Sequence, residues 1–270
     1  MLKPNSYLSI SKFPLSFFKN CHDCGISVAT KYHQISEVYM INFSLKDLPK
    51  ALLASSVFFL SAQAYAGVGL DATRVVYPAG QKEASLGVRS LKETDSFLIQ
   101  SWVENAEGNK VNSFVITPPL FLMQGKKENT LRIVDNTNGA LPNDRESLFW
   151  LNVKAIPSMN KSQEQQNTLQ FAITSRIKMF YRPSNIKMAP EDAPSKLTFS
   201  HHGSAIQVNN PTPYYLTLVS IKANGTALKD NMVAPMSNLT LSPESSASSI
   251  SYKTINDFGA QTPTITASVK

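Results

Sequence analysis

The sequence predicts an all-β protein made of two small β-sandwich domains, and three observations lead to that class. Short apolar stretches with strand-like alternation recur between turn-forming residues from Gly67 onward. No stretch shows the apolar i, i+3, i+4, i+7 spacing and the end caps of an amphipathic helix. A stretch of mixed charge with two prolines, residues 184–196, separates two groups of strands and is interpreted as an interdomain linker.

The first group of strands begins directly after Gly67. Residues 67–80 alternate and end in a Pro-Ala-Gly turn, so they are predicted to form one strand with Arg74 in its middle. Two further strands are predicted at residues 84–91 and 96–105. The pair Pro118-Pro119 interrupts the next apolar run and requires an edge position, a bend or a cis bond there. A later strand is predicted at residues 147–156.

The most informative stretch is Thr168 to Pro183, which is predicted to be one long strand. Apolar residues share one parity and polar or basic residues share the other, as in a strand with one buried face. The apolar set is Leu169, Phe171, Ile173, Ile177, Met179 and Tyr181. At about 3.3 Å per residue the strand would be roughly 50 Å long, well above the usual strand length. Either part of it pairs with something outside its own sheet, or it is a long core strand with a basic edge.

A second group of strands is predicted after the linker. The segments are K-L-T-F-S, S-A-I-Q-V-N-N, Y-Y-L-T-L-V-S-I, N-L-T-L-S, S-I-S-Y-K-T-I and T-P-T-I-T-A-S-V. The turn signals N-P-T-P and A-N-G-T separate several of them. The sequence therefore predicts a leader at residues 1–66, a first domain at residues 67–186 and a second domain at residues 187–270.

The leader is predicted to contain a secretory signal peptide. Basic residues precede the apolar run Ala51–Ser61, and Ala64-Tyr65-Ala66 is a small-x-small cleavage site. We expect cleavage after Ala66 and export into an oxidising compartment. The apolar run is too short to span a bilayer, which takes about twenty residues, so membrane insertion is not expected.

Residues 1–39 precede a signal that would be complete if translation began at Met40. An over-extended start is the preferred explanation, and a long basic region of the signal is the alternative. Cys21 and Cys24 form a C-x-x-C pair around His22, but no second ligand pair accompanies them and cleavage would remove them. The mature chain is then free of cysteine and depends on its cores for stability.

Charge and motif content argue against several functional classes. The formal net charge of the whole chain is +7, and removal of the leader lowers it further, which is too mild to indicate nucleic-acid binding. His201 and His202 are the only histidines after the signal and are placed in a turn, without a nucleophile elbow or further metal ligands. The acidic and basic triplet Asp144-Arg145-Glu146 is interpreted as a solvated turn. The sequence therefore predicts a non-enzymatic protein without metal or cofactor.

Arg74 and Lys178 are the basic residues that remain of interest. The first and last strands of a sandwich can lie side by side, so both cations could face a cleft beside the linker. Together they would suit a carboxylate, because charge-assisted hydrogen bonds contribute about 1.5–3 kcal/mol each. The alternative is two surface cations without a partner.

The sequence resembles the periplasmic pilus-assembly chaperones of the chaperone/usher pathway. Leu141–Ser158 is similar, position for position, to the signature of that family, and R-I-K-M-F-Y-R-P, N-P-T-P-Y-Y and I-N-D-F-G are similar to further motifs. The resemblance covers essentially all of Gly67–Lys270 in order. It implies two immunoglobulin-like domains arranged in an L, with a cleft for a pilus subunit between them. The short segment before Leu169 and the absence of cysteine resemble the short-loop subclass, which is associated with rod-like pili.

The resemblance also implies roles for eight residues. Arg74 and Lys178 match the cleft cations that hold the C-terminal carboxylate of a subunit. The alternating residues of the last strand of the first domain match the donor residues that complete the subunit's own sandwich; these are Leu169, Phe171 and Ile173. A charged trio matches the residues that fix the angle between the domains; these are Glu146, Arg182 and Asp257.

The expected partners are pilus subunits, in a 1:1 complex, and an outer-membrane usher. The free protein is also expected to be able to self-associate, because an exposed donor strand favours pairing with another strand. One geometric question stays open: Lys178 has the opposite parity from Ile173. Either a bulge intervenes, or the two side chains leave the strand on different faces. Two alternative functions are retained, a structural protein such as an adhesin or pilus subunit, and a secreted hydrolase.

Overall fold

The computed structural model describes residues 67–91, 96–159, 169–243 and 245–270, all within one compact unit, Gln63–Lys270. The predicted cleavage site, the alternative start at Met40 and the Cys21-Cys24 pair lie outside the described residues. Strands dominate the described chain, and they form two β-sandwiches, each with its own core. The all-β prediction is thereby confirmed.

The first sandwich contains nine strands in two sheets. The strands are β1 Val68–Leu70, β2 Arg74–Pro78, β3 Ala84–Ser90, β4 Ser96–Asn105, β5 Phe114–Thr117, β6 Leu120–Gln124, β7 Glu128–Asp135, β8 Ser147–Pro157 and β9 Ile173–Arg182. One sheet has the order β1-β3-β7-β5, and the other has the order β2-β9-β8-β4-β6. Inward-facing side chains such as Tyr77, Ile99 and Leu151 are fully buried between the sheets.

The second sandwich begins with a short 3₁₀ helix, Pro190–Lys196, and continues with eight strands. The strands are β10 Thr198–His202, β11 Ala205–Asn210, β12 Leu216–Ala223, β13 Thr226–Ala227, β14 Asn231–Val233, β15 Ser237–Leu241, β16 Ser249–Thr254 and β17 Ile265–Ser268. Strands β10, β11 and β15 form one sheet, and β13, β12, β16 and β17 form the other, with β14 also pairing with β12.

The structure corrects the prediction for residues 67–80. The expected single strand is broken at residues 71–73, so that β1 pairs with β3 in one sheet and β2 pairs with β9 in the opposite sheet. Asp71 donates its backbone N–H to the carbonyl oxygen of Gly87 at 3.1 Å, which holds the crossing point. The core-facing positions change at the break, from the even-numbered Val68 and Leu70 in β1 to the odd-numbered Val75 and Tyr77 in β2. Arg74 is therefore the first residue of β2.

The long strand was also predicted too long. Strand β9 begins at Ile173 rather than at Thr168, because its pairing with β8 ends at Ile173 and Ala155, although β8 itself continues to Pro157 on β4. Residues 169–172 carry the strand-like alternation beyond the sheet without pairing. Gln170 ties this segment back, donating its side-chain amide to the carbonyl oxygen of Pro157.

Two smaller corrections and one confirmed prediction, the cis bond expected as one alternative at Pro118-Pro119, concern local structure. The stretch read as a linker contains the 3₁₀ helix, and its residues Ala193 and Pro194 are buried against the second core. His201 and His202 lie in strand β10 and not in a turn. At Pro118 the peptide bond is cis, and the apolar run splits into β5 and β6, which belong to different sheets.

Candidate functional site

Among the described residues, half of strand β9 has no partner along one of its edges. On one side β9 pairs with β8 from Ile173 to Tyr181, all but its last residue. On its other side it pairs with the parallel strand β2 only from Lys178 to Arg182. The N–H and C=O groups of residues 173–177 on this side are therefore open for a further strand.

Three exposed apolar side chains accompany this edge. Leu169 is 76% exposed, Phe171 is 70% exposed and Ile173 is 59% exposed. They share the parity of Ile177 and Met179, which pack into the core of the first sandwich. The apolar face of β9 thus continues past the end of its own sheet, where nothing in the described chain covers it. We call these three residues the donor segment.

The unpaired edge ends at two cations. Arg74 and Lys178 are directly opposite each other in the parallel register of β2 and β9. Arg74 donates from Nη1 to the carbonyl oxygen of Ile255 at 3.1 Å, and Lys178 Nζ lies 3.3 Å from Thr217 Oγ1. Within the described residues neither cation has an ion-pair partner, and the buried Nε of Arg74 lacks a hydrogen bond.

The electrostatics of the pair favour an anion. Burial lowers the pKa of Lys178, and the neighbouring charge of Arg74 lowers it further. Burial also lowers the pKa of Arg74, although the more distant charges of Asp257 and Glu146 act in the opposite direction. Two like charges held opposite each other destabilise a sheet, whereas a carboxylate between them would relieve both the repulsion and the loss of solvation.

The question of parity is answered by the register. Pairing between β8 and β9 runs without a shift from Ala155–Ile173 to Ser147–Tyr181, so no bulge separates Ile173 from Lys178. Lys178 therefore leaves the sheet on the face opposite to Ile173. The donor segment points toward the inner face of the sandwich, and the cation pair points toward the second domain.

Glu146, Arg182 and Asp257 meet at the junction of the two sandwiches. Arg182 Nε donates to Glu146 Oε1 at 2.8 Å, and its two terminal nitrogens donate to the carboxylate of Asp257 at 2.7 and 2.8 Å. Glu146 also accepts the backbone N–H of Tyr215 at 2.8 Å. The solvated-turn interpretation is therefore wrong for Glu146, which is buried, while Asp144 and Arg145 pair with each other at the surface.

Burial shifts the pKa values of Glu146 and Arg182 in opposite directions. Burial raises the pKa of Glu146, and the charge and hydrogen bond of Arg182 offset this only in part. Burial lowers the pKa of Arg182, but the hydrogen bonds and charges of Asp257 and Glu146 more than compensate, so that its pKa is raised. The guanidinium is thus firmly charged, and it is the group that holds both carboxylates.

A cavity of about 520 Å³ lies beside the trio, between the two sandwiches. Arg74 and Phe180 line it from the first domain, and Tyr214, Ile265 and Phe258 line it from the second. Phe180 and Tyr215 pack against each other across the junction with ring centroids 5.7 Å apart.

Sequence reasoning missed an apolar patch on the outer face of the β2-β9-β8-β4-β6 sheet. Leu98 and Leu122 are opposite each other on β4 and β6, Leu98 is also opposite Ile156 on β8, and Leu120 follows on the edge strand. Leu122 is 56% exposed. A signal was available, because consecutive apolar residues such as Phe97-Leu98-Ile99 cannot all face one core. We call Leu98, Leu120 and Leu122 the outer-face patch.

A second missed feature is a cluster of side chains around Trp150. The guanidinium of Arg176 lies 4.2 Å from the Trp150 ring centroid and 3.0 Å from a carboxylate oxygen of Glu104. Trp102 donates its indole N–H to the same carboxylate at 2.8 Å. These contacts give the face beside Lys178 a fixed shape.

Neither a membrane-spanning helix nor a metal-binding cluster is found in the described parts of the chain. The described fold and site define a protein of two β-sandwiches that offers one strand edge, ending in two cations, to a partner.

Comparison with known proteins names the family. The model of the pili and flagellar-assembly chaperone, PapD N-terminal domain, matches residues 67–187, and that of the pili assembly chaperone PapD, C-terminal domain, matches residues 192–266. The chain belongs to this family of pilus-assembly chaperones, and the resemblance inferred from the sequence is confirmed.

Three individual proteins show how close the relationship is. The chaperone protein FocC of Escherichia coli is 55% identical over 223 residues, which cover 82% of this chain and 98% of FocC. The crystal structure of the periplasmic chaperone SfaE is 53% identical with a TM-score of 0.67, covering 75% of this chain and 99% of SfaE. The structure of the Salmonella enterica SafA pilin in complex with the SafB chaperone is 33% identical with a TM-score of 0.69, covering 77% of this chain and 98% of the matched chain.

Proposed function

We propose that the protein is a periplasmic chaperone that holds one pilus subunit by adding a strand to it and then delivers the subunit to an outer-membrane usher. In this proposal the first domain, residues 67–186, supplies the donor segment, and the second domain, residues 187–270, closes the other side of the cleft. The observation that carries the proposal is the unpaired edge of β9, which ends at Arg74 and Lys178.

The geometry of this edge gives the direction of the bound strand. Strand β2 occupies the edge of β9 from Lys178 onward, so a strand on residues 173–177 must stop where β2 begins. A C-terminal carboxylate can meet the cation pair only if the incoming strand runs toward Arg74. It would then run parallel to β9, in line with β2.

The donor segment supplies the affinity in this proposal. A subunit that lacks its last strand exposes a groove, and alternating apolar side chains can fill such a groove by strand addition. Full burial of three side chains at about 1.5–3 kcal/mol each gives an upper limit of roughly 5–9 kcal/mol before ordering costs. The cation pair fixes the register, because a one-residue slip would turn the wrong side chains toward the groove.

The charged trio has a supporting role in the proposal. Because Arg182 holds Glu146 of the first domain and Asp257 of the second, it fixes the angle between the domains and keeps the cleft open. The site requires no chemical step, nucleotide or cofactor, and a 1:1 complex follows from the single donor edge.

Delivery to the usher requires a surface that stays open when a subunit is bound. The outer-face patch fulfils this condition, since β4 and β6 lie at the far side of the sheet from β9. We assign the usher contact to this patch. Export by the predicted signal peptide would bring the protein into the compartment where subunits and usher meet, and the similarity to the periplasmic chaperone SfaE supports this.

The experiment that tests the proposal is co-purification from the periplasm with the pilus subunits encoded nearby. The wild type is compared with Lys178→Ala and with Lys154→Ala, a lysine that lies on the neighbouring strand β8. We expect the wild type and Lys154→Ala to capture a subunit and Lys178→Ala to lose it. Equal capture by Lys178→Ala would remove the carboxylate contact from the proposal, and no capture by the wild type would favour a structural protein.

A further inference from the structure

The most exposed large apolar side chain among the described residues is Phe258, which is 93% exposed. It lies in the loop between β16 and β17, in the second domain. A single exposed phenylalanine is unremarkable on a flexible loop, but the surroundings of Phe258 are neither flexible nor remote from the cation pair.

The loop that carries Phe258 is held by its own hydrogen bonds. Ile255 and Gln261 form a β-bridge, and Asn256 and Gly259 close a tight turn between them. The side-chain oxygen of Asn256 accepts the backbone N–H groups of Phe258 at 3.1 Å and Ala260 at 2.9 Å. The loop therefore has little freedom to fold Phe258 back onto the protein surface.

Two contacts fasten the same loop to the first domain. Asp257, the residue before Phe258, receives both hydrogen bonds from Arg182. Gly259, the residue after it, lies so close to Thr73 that an added Cβ would be 2.3 Å from Thr73 Oγ1. Phe258 is thus presented from a loop that is fixed on both sides.

The loop is also next to the cation pair. Arg74 donates to the carbonyl oxygen of Ile255 at 3.1 Å. Phe258 is three residues further along the chain, so its Cα atom lies within about 11 Å of the Cα atom of Ile255. Phe258 and Arg74 line the same cavity of about 520 Å³, together with the apolar side chains of Pro263 and Ile265. An apolar group placed against Phe258 would therefore lie beside any carboxylate held by Arg74.

We propose that Phe258, with the apolar wall of this cavity, is a second contact for the bound pilus subunit and takes an apolar side chain close to the subunit's C-terminus. The inference rests on the proposed function and extends it from the first domain to the second. A rigid, exposed aromatic side chain is well suited to this role, because little conformational freedom is lost when a partner covers it.

Site-specific photocrosslinking tests the contact directly. Phe258 is replaced by p-benzoylphenylalanine, and the same replacement at Met236, another exposed residue of the second domain, is the control. After irradiation of periplasm that contains the co-expressed subunit, we expect an adduct with the subunit from position 258 and none from position 236. An adduct with the usher alone, or no adduct at 258 in a complex that forms normally, would overturn the inference.

The kinetic effect of the side chain is the second measurement. We expect Phe258→Ala to raise the dissociation rate of the purified complex about tenfold and Phe258→Tyr to leave it near the wild-type value. The thermal unfolding of free Phe258→Ala should match the wild type, since the side chain is almost fully exposed.

Lys178→Ala, measured in parallel, separates the two proposals. If Lys178→Ala releases the subunit while Phe258→Ala dissociates like the wild type, the cation pair stands and the inference about Phe258 is overturned. If the wild type captures no subunit, both proposals are overturned.

Discussion

Arg74 and Lys178 stand opposite each other on parallel strands, and neither has a carboxylate partner within the described chain. Such a pair weakens the fold that contains it, because like charges on facing positions repel each other. The neighbouring Arg182 shows that the same junction can neutralise a cation with two carboxylates. The unpaired state of Arg74 and Lys178 therefore supports the proposed role of the two cations in binding a carboxylate.

Replacement of Lys178 should separate binding from stability. We expect Lys178→Ala to lose subunit binding while the free energy of unfolding of the free protein stays unchanged or rises by about 0.2–1 kcal/mol, because the repulsion from Arg74 is removed. Denaturant unfolding at pH 7 measures this. A clear loss of stability would show that the contact with Thr217 outweighs the repulsion.

The pH dependence of the wild type provides an internal check. The pKa of Lys178 is lower in the folded protein than its ordinary value of 10.5. At a pH between the folded pKa and 10.5, the unfolded chain therefore binds more protons than the folded protein does. The stability of the wild type relative to Lys178→Ala should therefore rise as the pH is raised toward 10.5. A difference that stays constant with pH would contradict the lowered pKa.

The donor segment should contribute to binding and not to folding. Phe171→Glu and Ile173→Glu should abolish subunit capture, since a charge cannot enter an apolar groove, yet change the free energy of unfolding by no more than about 0.5 kcal/mol because both side chains are exposed. Val115→Glu, an exposed apolar position on the other sheet, is the matched control. Capture that survives both donor variants would exclude strand addition at this edge.

The same variants test self-association of the free protein. If free molecules pair through the uncovered donor segment, sedimentation of the wild type should show a dimer at high concentration and Phe171→Glu should remain monomeric. A dimer that persists in Phe171→Glu must use another surface.

The charged trio should respond unequally to loss of its members. Arg182→Ala should cost about 3–5 kcal/mol, because it leaves the buried Glu146 without its cation. Glu146→Gln should cost less, because Arg182 keeps both hydrogen bonds to Asp257. Equal costs for the two variants would contradict the central position of Arg182.

The raised pKa of Glu146 determines whether the stability of the protein rises or falls with pH. Because the folded state holds the proton more tightly than the unfolded state, stability from this group falls as the pH rises above its ordinary value of 4.5. The wild type should therefore gain stability relative to Glu146→Gln as the pH is lowered from 7 toward 4.5. Thermal unfolding across this range measures the difference, and a gain in the opposite direction would show that Arg182 dominates burial.

The sequence predicted correctly those structural features that depend only on residues close together in the chain. Alternation in residues 169–181 predicted the apolar face of β9 correctly, because the side-chain period of a strand does not depend on its neighbours. The end of that strand depends on its neighbours. Strand β9 begins at Ile173 because its pairing with β8 extends no further than Ala155, and this partner strand lies in a different part of the chain.

The burial of Glu146 also could not be predicted from the residues next to it in the sequence. In the sequence it follows Asp144 and Arg145 in a polar stretch, which is typical of a solvated turn. Its burial comes from Arg182 and from the backbone of Tyr215, both distant in sequence, and only the family resemblance indicated this. The break between β1 and β2, by contrast, did leave a signal in the sequence, because the core-facing apolar positions change from even (Val68, Leu70) to odd (Val75, Tyr77).

The outer-face patch should act after the subunit has been captured. Leu122→Asp and Leu120→Asp place charges on exposed positions of the edge strand β6, far from β9 in the sheet, so the fold and the complex with the subunit should remain intact. If the usher docks on this patch, both variants should accumulate as chaperone–subunit complexes in the periplasm while surface pili disappear. Val115→Asp controls for a new surface charge elsewhere on the same domain. Normal piliation would show that the usher binds another surface, and loss of subunit capture would mean that the patch belongs to the subunit interface.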